Sequence, residues 1–232
     1  MKIVCVSDLH GIWDRESPLF SDGFARRKWP KGDVFVCAGD ATTYGEFEEY
    51  TRFNRWCAGL PYEHKILIAG NHCRSLYYNN NLIRELFTNI TYVEDESFEI
   101  KNVKFFGTPW SLEFNNWFFM GNEEFLKSKY VNIPEDTEII ISHSPPYGIR
   151  DNVSKNKRIG SVALLSRIKE IKPKLVIFGH AHDDYGIEEI DNTKFVNCSL
   201  LNDSYKFVNK PVLIQFDSRR RRAKKIGQGH GK

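Results

Sequence analysis

Ile3-Val4-Cys5-Val6-Ser7-Asp8-Leu9-His10 is an apolar run that ends on an acid and a histidine two residues apart. A run this short, polar only at its end, predicts a strand buried on both faces, with Asp8 and His10 at its carboxyl tip. The same grammar returns in Val34-Phe35-Val36-Cys37-Ala38-Gly39-Asp40 and in Ile66-Leu67-Ile68-Ala69-Gly70-Asn71-His72. It returns again in Ile139-Ile140-Ile141-Ser142-His143 and in Leu175-Val176-Ile177-Phe178-Gly179-His180-Ala181-His182. In open α/β sheets ligands bind outside the carboxyl ends of the strands, so tips far apart in sequence converge. The pattern predicts one site built from these strand ends.

Between the strands lie crossover helices. Thr42-Thr43 is read as the cap of a helix in which Phe47, Tyr50, Phe53, Cys57 and Leu60 recur at helical spacing, stopped by Gly59 and Pro61. A second helix is predicted from Leu76 to Phe87 and a third from Ser161 to Ile171, ended by Pro173. A short helix from Phe20 to Arg27 sits in a loop over the site, between Ser17-Pro18 and Trp29-Pro30. Strand, helix, strand at this rhythm implies a parallel sheet. Further strand candidates at Thr91–Val93, Ser97–Ile100, Val103–Phe106, Lys194–Val196 and Pro211–Phe216 imply a second, mixed sheet. The expected fold class is α/β, a four-layer αββα sandwich of two mixed sheets, as one domain over 1–218 with a flexible basic tail over 219–232. The aromatic segment Trp110 to Phe125 is assigned to core and sheet cover rather than to a base-stacking platform.

Composition narrows the class. The 232 residues carry a formal +3, but seven of the 33 Lys and Arg fall in 219–232, which holds no acid. Residues 1–218 therefore carry 26 basic against 30 acidic side chains, a net −4, which argues against a broad basic nucleic-acid face. Nucleic-acid contact, if made, is expected through the tail. Five cysteines without a C-x-x-C pair give no disulfide framework and fit a reducing compartment. No signal-peptide core or membrane-length apolar run occurs, so the expectation is a cytoplasmic protein with no membrane partner. No G-x-x-x-x-G-K-[ST] loop is present, which disfavours an NTPase cradle.

The strand tips carry the chemistry. Two divalent ions about 3.5–4 Å apart need roughly seven N and O ligands, one of them anionic and shared, with room for a bridging hydroxide. Asp40 is the natural bridge because a carboxylate offers two oxygens. Asp8, His10 and His182 complete one ion; Asn71, His143 and His180 complete the other. His180 and His182, on alternating sides of an extended segment, serve one ion each. With no sulfur ligand required, Mn2+ is expected first, with Fe2+, Zn2+, Ni2+ or Co2+ as alternatives. His10, His72, His143, His180 and His182 are five of the seven histidines, and all sit at these tips. His72 is next to a ligand but not needed as one, which places it to protonate a leaving group. Arg74, Arg150, Lys155, Lys157 and Arg158 lie near the tips as candidates for phosphate contact.

Asp8-Leu9-His10, Gly39-Asp40, Gly70-Asn71-His72, Ser142-His143-Ser144-Pro145-Pro146 and Gly179-His180-Ala181-His182 resemble the blocks of the calcineurin-like metallophosphoesterase superfamily. The resemblance runs from residue 3 to about 216. More narrowly, Asn54-Arg55-Trp56, Leu60-Pro61-Tyr62-Glu63-His64-Lys65, Pro145 to Asp151, Arg158-Ile159-Gly160 and Lys172-Pro173-Lys174-Leu175 are similar to the MPPED (metallophosphoesterase domain-containing) branch. The resemblance implies that Asp8, His10, Asp40, Asn71, His143, His180 and His182 bind metal and that His72 is catalytic. It implies hydrolysis of small phosphodiesters, cyclic nucleotides foremost. The enzyme alternative is a nuclease or RNA-end processing enzyme; the alternative of another class is a silent scaffold. One position departs from the pattern. The superfamily usually has Asp or Glu after its Asn-His, whereas this chain has Cys73, which implies a differently tuned His72 unless Asp14 or Asp151 substitutes.

Overall fold

The computed structural model describes residues 1–153 and 157–217. The first half alternates strand and helix: β1 (Lys2–Val6), α1 (Asp22–Ala25), β2 (Val34–Ala38), α2 (Phe47–Ala58), β3 (His64–Ile68), α3 (Arg74–Leu86) and β4 (Thr91–Tyr92). Then come β5 (Glu96–Ile100), β6 (Val103–Thr108), the short β7 (Ser111–Leu112) and β8 (Met120–Gly121), α4 (Glu123–Tyr130) and β9 (Ile139–Ser142). The remainder holds β10 (Asn152–Val153), β11 (Lys157–Arg158), α5 (Val162–Ile171), β12 (Leu175–Phe178), β13 (Gly186–Ile190), β14 (Thr193–Asn197) and β15 (Val212–Gln215).

Two large sheets result. The first has the order β15-β1-β2-β3-β4, parallel except for β15; the second has β13-β14-β12-β9-β6-β5, parallel through its four central strands and antiparallel at both edges. Side-chain alternation builds the layers. Ile3, Cys5, Val34, Val36 and Ile68 of the first sheet pack on Phe105, Ile139, Ile141, Ile177 and Val196 of the second. Their neighbours Val4, Val6, Phe35 and Cys37 face outward and join a cluster with Tyr50, Phe53 and Cys57 of α2 and Leu76 and Ile83 of α3. Phe106, Ile140, Val176 and Phe178 belong to the same cluster, with Leu126 and Tyr130 of α4 and Leu164 and Ile168 of α5. This is the four-layer αββα sandwich that the sequence predicts.

At one end the sheets touch. Beyond β1, Ser7 forms a bridge to Ser199, donating its N–H to Cys198 O at 2.9 Å and accepting the Leu200 N–H at 3.0 Å. The carboxyl tips of both sheets are thereby drawn together.

Several local expectations differ. α2 is capped by Glu46, not by Thr42-Thr43, because the Thr43 hydroxyl donates to His10 O at 2.9 Å and its N–H goes to Glu49 Oε1 at 2.8 Å. α3 starts two residues before Leu76 and kinks at Asn79 (φ −133°, ψ 42°). α4, capped by Asn122 through the Phe125 N–H, starts at the end of the stretch assigned to sheet cover and runs beyond it to Tyr130. The strand β13 was not expected; it forms a hairpin with β14 through left-handed Asp191 and Asn192. The tail over 219–232 lies outside the described residues.

Glu49 links fold to site. It is buried, and its carboxylate takes the N–H groups of Thr43, Tyr44 and Glu46 at 2.8–3.0 Å. Glu49→Ala leaves those donors unpaired and is expected to cost about 1–3 kcal/mol in urea unfolding. Glu49→Gln, which keeps an acceptor, recovers part of the loss; equal stability of both variants with the parent refutes the capping role.

Candidate metal centre

Three of the five tips, those of β1, β2 and β12, turn their side chains inward by strained backbone. Asp8, His10, Asp40 and His180 have φ of 53°, 41°, 49° and 68°. A left-handed residue with a side chain costs of order 1–3 kcal/mol and persists only where its surroundings hold it. Gly70 serves the same packing: a Cβ there would run into the Asp40 carboxylate and the His143 imidazole.

Asp40 is the hub. Its Oδ2 lies 3.3 Å from His143 Nε2 and 3.9 Å from His10 Nε2, while Oδ1 accepts the His72 N–H at 2.9 Å. Asp8 Oδ1 lies 3.3 Å from His182 Nε2 and 4.0 Å from His10 Nε2. Its other oxygen accepts from the His180 N–H at 3.0 Å and from the Ser199 hydroxyl. Asn71 Oδ1 stands 2.9 Å from His143 Nε2. Ligand-type atoms of Asp8, His10 and His182 fall within 4.8 Å of one another, as do those of Asp8, Asp40 and His143 and those of His10, Asp40 and His72.

All eight site residues named from the sequence thus lie together past the strand ends, but not all as expected. His180 belongs to none of these triads; it reaches the site through its N–H on Asp8 and a ring contact 4.9 Å from His143. The alternating extended geometry of His180 and His182 is also corrected. His180 is left-handed and His182 opens a 3-10 turn, His182–Asp184, because Gly179 presses against the Asp8 and Ser7 side chains and the chain turns there.

Three backbone carbonyls orient the imidazoles, and no residue type in the sequence signals them. Nδ1 of His143 meets Ala38 O at 3.0 Å, that of His72 meets Thr43 O at 3.0 Å, and that of His182 meets Asn202 O at 3.3 Å. An N–H donated from Nδ1 fixes the ring and presents Nε2 to the site.

The Cys73 departure has a structural answer. Its thiol is buried and accepts the Gly70 N–H at 3.2 Å, with burial pushing its pKa up to about 12. Neither carboxylate named as a substitute serves His72: Asp14 binds Arg52 at 2.8 Å and Asp151 binds Arg158 at 2.6 Å. Thr43 O holds the ring instead. The phosphate-contact candidates are engaged elsewhere: Arg74 with Glu46 at 3.1 Å, Arg150 with Asp184 at 3.5 Å and Glu188 at 3.4 Å, and Arg158 with Asp151. Lys157 is exposed on β11, and Lys155 lies outside the described residues.

The donors fit divalent ions. Asp8 Oδ1 and His10 Nδ1 are buried without a hydrogen-bond partner, although His182 Nε2 is close to the former. His10 Nε2 and His182 Nε2 point at each other across 3.3 Å. Among the described residues only histidines form ion pairs with Asp8 and Asp40. Buried carboxylates facing imidazole nitrogens, with no lysine or arginine to neutralise them, make a donor set suited to borderline transition ions.

Electrostatics follow the same geometry. Burial lowers the pKa of His10 and of His180 to about 3, so both are neutral. Burial also disfavours charge on His143, but the Asp40 carboxylate outweighs it and lifts the pKa to about 9. Without metal, that imidazolium is the counter-ion of Asp40; the pKa of His182 is raised in the same direction by the hydrogen bond and charge of Asp8, which outweigh burial.

The family model for calcineurin-like phosphoesterases matches residues 1–184. The chain is 34% identical over 245 residues to human Metallophosphoesterase domain-containing protein 1, across 94% of this chain and 72% of that one. Among solved structures, one crystal structure superposes with a TM-score of 0.65 at 17% identity, covering 93% of this chain and 99% of the other. GAP50, the anchor in the inner membrane complex of Plasmodium, superposes with a TM-score of 0.50 at 15% identity over 86% of this chain and 71% of that one.

Two outcomes are expected. Cys73→Asp adds a third carboxylate to Asp8 and Asp40 in a dry site, so it destabilises the fold by about 2 kcal/mol or more in denaturant titration and does not raise turnover. A stable, faster variant refutes this. His143, raised from 6.5 to about 9, contributes stability to the metal-free fold below pH 6.5 that is lost as pH rises through about 9. A divalent ion must displace that proton, so its affinity climbs over the same window. Calorimetric Mn2+ titrations at neutral pH in buffers of different ionisation enthalpy should report net proton release; a buffer-independent enthalpy contradicts it.

Proposed function

The chain belongs to the calcineurin-like phosphoesterase family, which implies a phosphoric ester hydrolase, and from that premise we propose a dinuclear phosphodiesterase of small phosphodiesters, 2′,3′- and 3′,5′-cyclic nucleotides among them. The observation that carries the reading is Asp40, one carboxylate set between His10 and His143, with buried Asp8 on the His10 side. In this reading Asp8, His10 and His182 would hold one divalent ion and Asn71, His143 and His180 the other, with the Asp40 carboxylate available to either. Mn2+ is the first choice. Such ions supply a water acidified to near neutrality and neutralise phosphoryl oxygens.

The chain's own residues do the rest. Water adds across one P–O bond, and the departing alkoxide takes a proton to leave as an alcohol beside a phosphomonoester. His72, its Nδ1–H committed to Thr43 O, donates from Nε2 when the ring is doubly protonated, and the proton given up by the attacking water restores that charge state. The nearby arginines are neutralised by acids, so phosphate charge is left to the ions rather than to a guanidinium clamp. Among the described residues no helix is long and apolar enough to cross a membrane.

A Mn2+-supplemented screen of 2′,3′- and 3′,5′-cyclic nucleotides, phosphomonoesters and short RNA tests the reading. The cyclic esters are expected to turn over, His72→Ala to lose roughly 10²-fold in kcat, and Asp40→Asn at least as much. RNA turnover that is lost on deleting 219–232 would favour a nuclease instead. No hydrolysis and no metal in the purified protein would favour a scaffold.

A further inference from the structure

Three large aromatic side chains stand in solvent around the centre. Phe114, Trp117 and Tyr205 are 40%, 39% and 40% exposed. Each also lies against an imidazole of the site. The Trp117 ring is 4.1 Å from that of His72 at an interplanar angle of 37°, and the Phe114 ring is 5.5 Å from His180. Tyr205 lies 5.0 Å from His10 and 5.4 Å from His182. Single exposed aromatics need no explanation, but several converging on one polar centre do.

Their loops are tied to that centre. The Phe118 N–H donates to Asn71 O at 3.2 Å, and the turn before it is made by left-handed Asn115 and Asn116. Phe119 then buries itself against Trp110, at 5.4 Å between rings, which anchors the segment and leaves Trp117 outside. Tyr205 donates its N–H to Asn202 O at 2.8 Å, the same carbonyl that orients His182. The Asn202 side chain accepts the N–H groups of Ser204 and Lys206, and Tyr205 itself is held at φ 55°. A bulky residue in left-handed backbone, fixed on both sides, is a positioned ring rather than a loose one.

We propose that Trp117, with Phe114 and Tyr205, forms an aromatic rim that stacks the flat base of a nucleoside phosphate whose phosphate occupies the Asp8–Asp40 centre. This deepens the phosphodiesterase reading and rests on it for the position of the phosphate. One face of Trp117 is covered by His72, and its exposure leaves surface for a second ring. Since the arginines near the site are already paired with acids, the base is held by π surface and not by charge. Stacking is tolerant of base identity because every base has a π face. The rim therefore separates nucleotides from esters without a base, and separates base from base only weakly.

Two paired comparisons test it. Adenosine 2′,3′-cyclic phosphate and 1-O-methylribose 2′,3′-cyclic phosphate share the scissile ester and differ in the base. The parent protein with Mn2+ should favour the first about tenfold or more in kcat/KM, mainly through KM. Trp117→Ala should collapse that ratio, and Trp117→Phe should restore most of it. If Trp117 merely supports His72, Trp117→Ala slows both esters alike and the ratio stands, which overturns the proposal. Calorimetric binding of AMP against ribose 5-phosphate gives the second readout, free of turnover. AMP binding about tenfold tighter and lost in Trp117→Ala, with no ester hydrolysed, upholds the rim and rejects the phosphodiesterase. Hydrolysis of both esters at equal efficiency, with equal binding of the two monophosphates, does the reverse.

Discussion

Two carboxylates buried within reach of each other are the constraint on which the rest of the structure depends. Asp8 and Asp40 are almost wholly excluded from water, and no lysine or arginine among the described residues pairs with either. Unpaired buried anions are too costly to persist, so cations must meet them. In the metal-free protein the His143 imidazolium fills that role beside Asp40, and Asp8 shifts His182 towards its charged form. The centre is built to exchange those protons for metal, with the orienting carbonyls of Ala38 and Asn202 keeping each ring in place during the exchange.

The sandwich serves this constraint. Parallel strands give rigid tips, and the Ser7–Ser199 bridge pinches the two sheets together where the tips end. Donors one to four residues past β1, β2, β3, β9 and β12 then meet, each placed by a short turn anchored to a rigid strand end. What varies the chemistry sits above them, on tied loops such as the one bearing Trp117, in keeping with a rigid scaffold that carries adaptable connections.

The strand tips were legible because each is a local signal: an apolar run that breaks on Asp, Asn or His tells its own story within eight residues. So were α2, α3 and α5, whose apolar spacing is regular. The unread parts depend on partners distant in sequence. Thr43 looks like a cap until His10 O and Glu49 claim its hydroxyl and N–H. The stretch from Trp110 to Phe125 has one composition but two fates, since Trp110 and Phe119 are buried while Phe114 and Trp117 face the site. Helix α4, which starts at its end, has few apolar positions of its own and is stabilised by its Asn122 cap and its packing on α5. The carbonyls behind His72, His143 and His182 are invisible in any sequence, because every residue has one.

The antiparallel pairing of β1 with β15 joins Lys2–Cys5 to Val212–Gln215, and the amino group of Met1 meets Phe216 O at 3.0 Å. The strand that bears Asp8 at its tip therefore keeps one open edge until more than 200 residues have left the ribosome. An unpaired hydrophobic edge is a template for wrong partners, and closing so wide a sequence gap is slow. The chain is consequently most exposed to aggregation late in its synthesis, and a nascent protein stalled before Val212 would present the same bare β1 edge to every neighbour in the cell.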